Sequence, residues 1–142
     1  MLRLGTDIWL AIVDHALHGL PDEACGLIAG PPPGDTPRDQ REGRVERWYP
    51  CRNAAASSRV YTVDPRDHLK ADRDAEDRGL EIIGVVHSHT HTWPWPSPTD
   101  VRQAPDPGWH YAIVSLRHPE PMMRSFSIVD GNIAEEAVVL DQ

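Results

Sequence analysis

The chain has 142 residues, and its 22 acidic against 14 basic side chains give a formal net charge of -8. That length suits one domain with a single core, and that charge repels phosphate backbones and anionic lipid, so nucleic acid and membrane surfaces are set aside as partners. No run approaches the roughly 18 apolar residues of a membrane span, and Asp7, Asp14, His15 and His18 interrupt the apolar N-terminal stretch before a signal-peptide core forms, so a soluble, cytoplasmic domain spanning residues 1–142 is expected.

From Ile8 the apolar residues Ile8, Trp9, Ile12, Val13, Ala16, Leu17 and Leu20 recur at steps of three and four, predicting an amphipathic helix with Asp7 as N-cap and Pro21 as its stop. Ala24 to Gly30 is short, apolar and bounded by turn formers, as a buried strand is, with Glu23 at its entrance. The aperiodic segment from Pro31 to Gly43 is predicted as a flexible loop. Strands are expected over Arg44 to Tyr49 and Val60 to Val63, then a surface helix from Pro65 to Arg78, capped by Asp64 and ended by Gly79.

Ile82 to His89 is the most strand-like run and carries two histidines at its C-terminal end. A short helix after Ser97 follows, then strands over Tyr111 to Leu116, Arg124 to Val129 and Ile133 to Val139, the last two joined by an Asp130-Gly131-Asn132 hairpin turn. This order of elements implies a single mixed α/β domain with one curved central β-sheet flanked by helices. Cys25 and Cys51 make no disulfide framework and suit the reduced state of the cytosol.

Side chains two apart on a strand share a face, so His87 and His89 present two imidazoles together while Ser88 points the other way. His91 has the same parity, and alternation alone does not choose between the pairs 87/89 and 89/91. Asp100, in Ser97-Pro98-Thr99-Asp100, offers a carboxylate that would complete a two-His, one-carboxylate catalytic zinc set. Taken alone, the same four residues read better as a capping box, and the two roles are compatible because the serine can cap while the aspartate turns to the metal.

At this point the sequence resembles the JAMM (MPN+) metalloprotease family, whose motif is a distant Glu, then His-x-His, seven residues, Ser, two residues and Asp. His87-Ser88-His89, the seven residues Thr90 to Pro96, and Ser97-Pro98-Thr99-Asp100 match every fixed position, which selects 87 and 89 over 91. Glu23, within Pro21-Asp22-Glu23-Ala24-Cys25-Gly26-Leu27, matches the upstream acid. The resemblance implies the family's fold, related to that of cytidine deaminases, and one Zn2+ per chain on His87, His89 and Asp100. It also implies that Glu23 takes a proton from the attacking water and that Ser97 stabilises the oxyanion.

The segments around Glu23, His87-Ser88-His89-Thr90, Pro96 to Val101 and Ser127 to Gly131 are similar to those of actinobacterial hydrolases that release cysteine from a ubiquitin-like sulfur carrier protein. That resemblance implies cleavage of the amide after the carrier's C-terminal Gly-Gly, with the tail arriving as an extended strand along a sheet edge. Trp93, Trp95 and His91 lie in the loop between ligands and are assigned to substrate binding. A general isopeptidase or small-peptide metallopeptidase, or a non-catalytic scaffold, are the alternatives. His-Glu-x-x-His is absent, as is the cysteine pair of the zinc deaminases.

Overall fold

The structure, a computed structural model, describes residues 1–36 and 41–142. The elements are β1 (Leu2–Gly5), α1 (Thr6–Gly19), β2 (Cys25–Gly30), β3 (Gly43–Arg44), β4 (Arg47–Cys51), α2 (Pro65–Asp77), β5 (Glu81–His89), α3 (Pro98–Arg102), β6 (His110–Ser115), β7 (Met122–Val129), β8 (Asn132–Glu136) and β9 (Val138–Asp141). Six strands form one sheet in the order β4-β2-β5-β6-β7-β8, and β3-β1-β9 form a second, smaller one. Only β5 and β6 run parallel within the large sheet, and their C-terminal ends therefore open side by side.

The large sheet is buried on both faces because its strands alternate two apolar sets. Val86 points with Ile28, Ala112 and Val114 into a core closed by Ile12 and Ala16 of α1 and by Leu2 and Leu4 of β1. Val85 points with Leu27, Tyr111 and Ile128 into the opposite core, closed by Ala71 of α2. Each fully buried aliphatic side chain in these layers contributes about 1.5–3 kcal/mol. Gly26 leaves the space that the Trp48 ring fills, since a Cβ there would collide with it. The β7–β8 hairpin turns at Asp130 and Gly131, both at positive φ (50 and 80), the backbone of a two-residue type I′ turn.

The structure corrects several expectations. The N-terminal helix starts at Thr6, and Asp7 lies in its first turn, while the N-cap is Gly5 with no side-chain cap. The residues before it form a strand, because burying Leu2 and Leu4 on one face is a period-two pattern too short to be seen beside the longer helical one. Leu17 and Leu20, counted on the apolar stripe, are exposed. The single expected strand over Arg44 to Tyr49 is divided between the two sheets.

Val60 to Val63 is no strand: Val63 makes one isolated bridge to Asn53, and the Asn53 side chain takes the Val60 carbonyl and the Thr62 N–H that a ladder would need. Ile133 to Val139 breaks at Ala137, after which β9 leaves the large sheet to pair with β1. Of the loop expected over Pro31 to Gly43, residues 37–40 lie outside the described residues, and Gly43 belongs to β3. No helix among the described residues is long and apolar enough to cross a membrane.

Candidate metal centre

The alternation of β5 fixes the site. His87 and His89 follow Val85 onto the α2 face, and Ser88 follows Val86 onto the other. Ser88 Oγ accepts the Ala24 N–H at 2.8 Å, and its own N–H donates to the Ala24 carbonyl at 2.9 Å. The entrance of β2 is thereby pinned to β5, so Glu23 stands beside the histidines. The Glu23 N–H donates to Ser57 O at 2.8 Å, and its carbonyl accepts from Asn53 Nδ2 at 2.9 Å.

Asp100 reaches the same place from α3. Ser97 Oγ accepts the Asp100 N–H at 3.0 Å, and Asp100 Oδ2 accepts the Ser97 N–H at 2.9 Å, a reciprocal capping box. That same Oδ2 lies 3.2 Å from both His87 Nε2 and His89 Nε2, and the two nitrogens are 3.2 Å apart. Capping and facing the histidines are thus done by one carboxylate. The Ser97 oxygen accepts within the box, which leaves its proton free to be donated outward.

Three donors at one mutual separation suit a metal ion. Tetrahedral ligands at about 2.0–2.1 Å from zinc stand about 3.3 Å from one another. His87, His89 and Asp100 form the one such group among the described residues, and all are nearly buried, at 3%, 4% and 8% exposure. His89 Nδ1 lies 2.8 Å from Trp93 O; a carbonyl only accepts, so Nδ1 carries the proton and Nε2 offers its lone pair to the site. The His87 ring is stacked on Tyr61, with centroids 4.2 Å apart and planes at 18°.

Electrostatics point the same way. Burial pushes the His87 pKa down against the pull of Asp100, favouring the neutral imidazole that ligates. Burial disfavours charge on His89 too, but hydrogen bonds with Asp100 and the Trp93 carbonyl raise its pKa. Burial also opposes ionisation of Asp100, yet the two histidines hold its pKa below the usual carboxylate range. Glu23 is 5% exposed, and its Oε1 has no hydrogen-bond partner. Desolvation lifts its pKa to about 7, with His89 lowering it and Asp100 raising it further. An unpartnered buried oxygen beside three converging donors is what a site built around a further bound group presents.

His91 is not in the cluster. It is exposed, and its Nδ1 pairs with the neighbouring Thr90 Oγ1 at 2.7 Å. Trp93 and Trp95 are half exposed, at 50% and 49%, and they differ in company. Trp93 meets the His118 ring edge-on at 5.1 Å and lies under Arg117, whereas Trp95 meets the core residue Phe126 edge-on at 5.1 Å.

Sequence reasoning missed Asn53, Tyr61 and the Trp93 carbonyl. Asn53 heads an aperiodic, small-residue run, Asn53-Ala54-Ala55-Ala56-Ser57, which is a signal for a side chain that organises a loop. Nothing local marks Tyr61.

The model of the family of prokaryotic homologs of the JAB domain matches residues 5–129. The CysO-cysteine peptidase of Mycobacterium tuberculosis is 41% identical over 139 residues, covering 97% of this chain and 90% of that protein. A solution structure of a protein from Desulfitobacterium hafniense superposes with a TM-score of 0.88 at 36% identity, covering 100% of this chain and 94% of the other. A JAB1/MPN domain protein from Archaeoglobus fulgidus is similar in fold, with a TM-score of 0.58 at 16% identity, covering 97% of each chain.

Proposed function

From the premise that this chain belongs to the family of prokaryotic homologs of the JAB domain, we propose that it is a zinc hydrolase that releases cysteine from the C-terminal Gly-Gly of a ubiquitin-like sulfur carrier protein. The observation that carries the reading is the meeting of three donor atoms 3.2 Å apart with the partnerless Oε1 of Glu23. The mycobacterial relative's name supplies the substrate class.

His87, His89 and Asp100 would hold the metal. When bound, zinc supplies a Lewis acid that polarises the scissile carbonyl and acidifies a water molecule. Glu23 accepts a proton from the attacking water on its unpartnered oxygen and returns it to the amine of the departing cysteine. The burial that raises its affinity for a proton makes it suited to both transfers. Ser97 donates its hydroxyl proton to the oxyanion that develops on the carbonyl.

Trp93 covers the incoming substrate. The Gly-Gly tail lies extended, where main-chain hydrogen bonds suit residues without side chains; β4 is an edge strand, and its Cys51 pairs with Cys25, which pairs with His87. The edge is therefore two strands from the ligands.

Incubating the purified, zinc-loaded protein with a carrier extended by cysteine, beside a lysine isopeptide-linked carrier and unrelated peptides, tests the reading by product mass. Release of cysteine from the first alone is the expected result. Preferential cleavage of the isopeptide or the peptides overturns the substrate assignment, and no cleavage of any by protein holding stoichiometric zinc overturns the activity.

A further inference from the structure

We propose that Arg117, lying over Trp93, binds the free α-carboxylate of the amino acid on the leaving side of the scissile bond, so that the enzyme acts on the terminal residue of its substrate. This subsite rests on the carrier-cysteine reading above, and it adds to that reading the group that recognises the chain end.

Arg117 is tied to the ligand strand by short steps. His89 pairs in register with Ser115, and the Leu116 N–H donates to the His89 carbonyl at 2.9 Å. Arg117 is the next residue, and its N–H donates to Ser115 Oγ at 3.2 Å. The same Ser115 hydroxyl donates to Thr92 O at 2.6 Å, and the Trp93 carbonyl accepts from His89 Nδ1 at 2.8 Å. The main chains that bear Arg117 and Trp93 are therefore fastened to each other and to a metal ligand.

The side chains close the unit. The Arg117 Cζ sits 5.1 Å from the centre of the Trp93 ring, and His118 meets that ring's edge. A cation–π contact with the ring uses no N–H of the guanidinium as a hydrogen-bond donor to a carboxylate, so its N–H fork is available to take one through two parallel hydrogen bonds. Among the described residues Arg117, like Arg59 and several surface arginines, forms no ion pair, whereas Arg3, Arg52, Arg78 and Arg124 each have a carboxylate; what sets Arg117 apart is its place over Trp93. A half-exposed tryptophan and an unclaimed arginine thus stand together at the rim of the metal centre.

Charge favours a local cation at the chain end. The chain's net charge of -8 repels an anionic chain end, and the opposite flank of the site holds the Glu23 carboxylate and the Tyr61 ring over His87. The departing cysteine keeps its own carboxylate after hydrolysis, whereas an internal peptide bond or a lysine isopeptide bond has none at that position. Arg59 is the rival cation, since it follows the Ser57-Ser58 turn whose Ser57 carbonyl takes the Glu23 N–H. It lies on the side of the base.

The test compares two carrier–cysteine adducts, one ending in a carboxylate and one in a carboxamide, on zinc-loaded parent, Arg117→Ala, Arg117→Lys and Arg59→Ala proteins, with kcat/KM read from product masses and zinc from elemental analysis. The parent is expected to prefer the carboxylate adduct by about ten- to a hundredfold, the value of a charge-assisted hydrogen-bond pair. Arg117→Ala brings the two adducts to the same rate with zinc retained, Arg117→Lys keeps part of the preference, and Arg59→Ala keeps all of it. A parent that hydrolyses both adducts equally overturns the subsite while leaving the carrier-cysteine reading intact. Loss of the preference in Arg59→Ala rather than Arg117→Ala overturns it in favour of the other cation, and a parent that cleaves neither adduct removes the reading and the subsite together.

Discussion

His89 donates its Nδ1 proton to the main-chain carbonyl of Trp93 at 2.8 Å, so the loop that follows His89 determines which of its nitrogens faces His87 and Asp100 at the candidate metal centre. The bond uses the backbone of Trp93, which leaves the indole free for another task.

The two tryptophans should consequently separate by substitution. Trp93→Ala keeps the carbonyl, so zinc content stays at the parental level while kcat/KM on a carrier–cysteine adduct falls about tenfold through lost contact area. Trp95→Ala instead removes an edge contact with Phe126 and lowers stability by about 1 kcal/mol. Elemental analysis, kinetics and denaturant melts on both variants check the division. Loss of zinc in Trp93→Ala would show that the side chain shapes the metal centre.

Removing either imidazole should remove the metal. His87→Ala and His89→Ala leave two donors where catalytic zinc needs three protein ligands, so both purified variants are expected without stoichiometric zinc and without hydrolysis, and chelation of the parent should do the same. Full zinc occupancy in either variant counts against the ligand assignment.

Glu23→Gln should behave in the opposite way. The amide preserves shape but cannot accept a proton from water, so zinc remains bound while kcat falls by about 10²–10⁴-fold. A parental rate in this variant shows that another group is the base.

Asn53 is expected to matter through Glu23 and Tyr61. Its amide donates to the carbonyls of Glu23 and Val60 and accepts the N–H groups of Ala55 and Thr62. Asn53→Ala leaves the part-buried carbonyls of Glu23 and Val60 unpaired, while the exposed N–H groups of Ala55 and Thr62 turn to water, for a loss of about 1–3 kcal/mol in stability. Catalysis measured well below the melting temperature should fall as well, because the loop that stacks Tyr61 on His87 is no longer held. Unchanged melting and unchanged turnover together would rule out this role.

Acid should weaken the protein at a site remote from the metal. Burial opposes ionisation of Glu136, but its bonds with His110 at 2.6 Å, the N-terminal ammonium at 2.8 Å and Ser125 at 2.9 Å win, and its pKa falls from 4.5 to about 2. A carboxylate depressed by folding stabilises fully above its unfolded pKa, and that contribution disappears as pH falls from about 4.5 through about 2. Its size is about 2–3 kcal/mol. Urea melts of the parent and of Glu136→Gln across pH 2–6 should differ most at the upper end and converge at the lower end; parallel curves would contradict the assignment.

What the sequence determined is what its local patterns carry. The step of three and four through Ile12 and Ala16, the apolar run ending at His89, and the Asp130-Gly131 turn each stand within a window of a few residues, where side-chain period and backbone preference are enough. The two imidazoles on one strand face and the Ser97–Asp100 box are of the same kind, since spacing alone sets them. Tertiary structure decided the pairings between distant segments. Leu2 pairs with Val138, and Cys51 with Cys25, because those partners bury their faces jointly, and no short window contains both members. Asn53, Tyr61 and the Trp93 carbonyl belong to that second group: an amide, a ring and a main-chain oxygen become parts of the candidate metal centre only when the packed sheet brings Glu23, His87 and His89 against them.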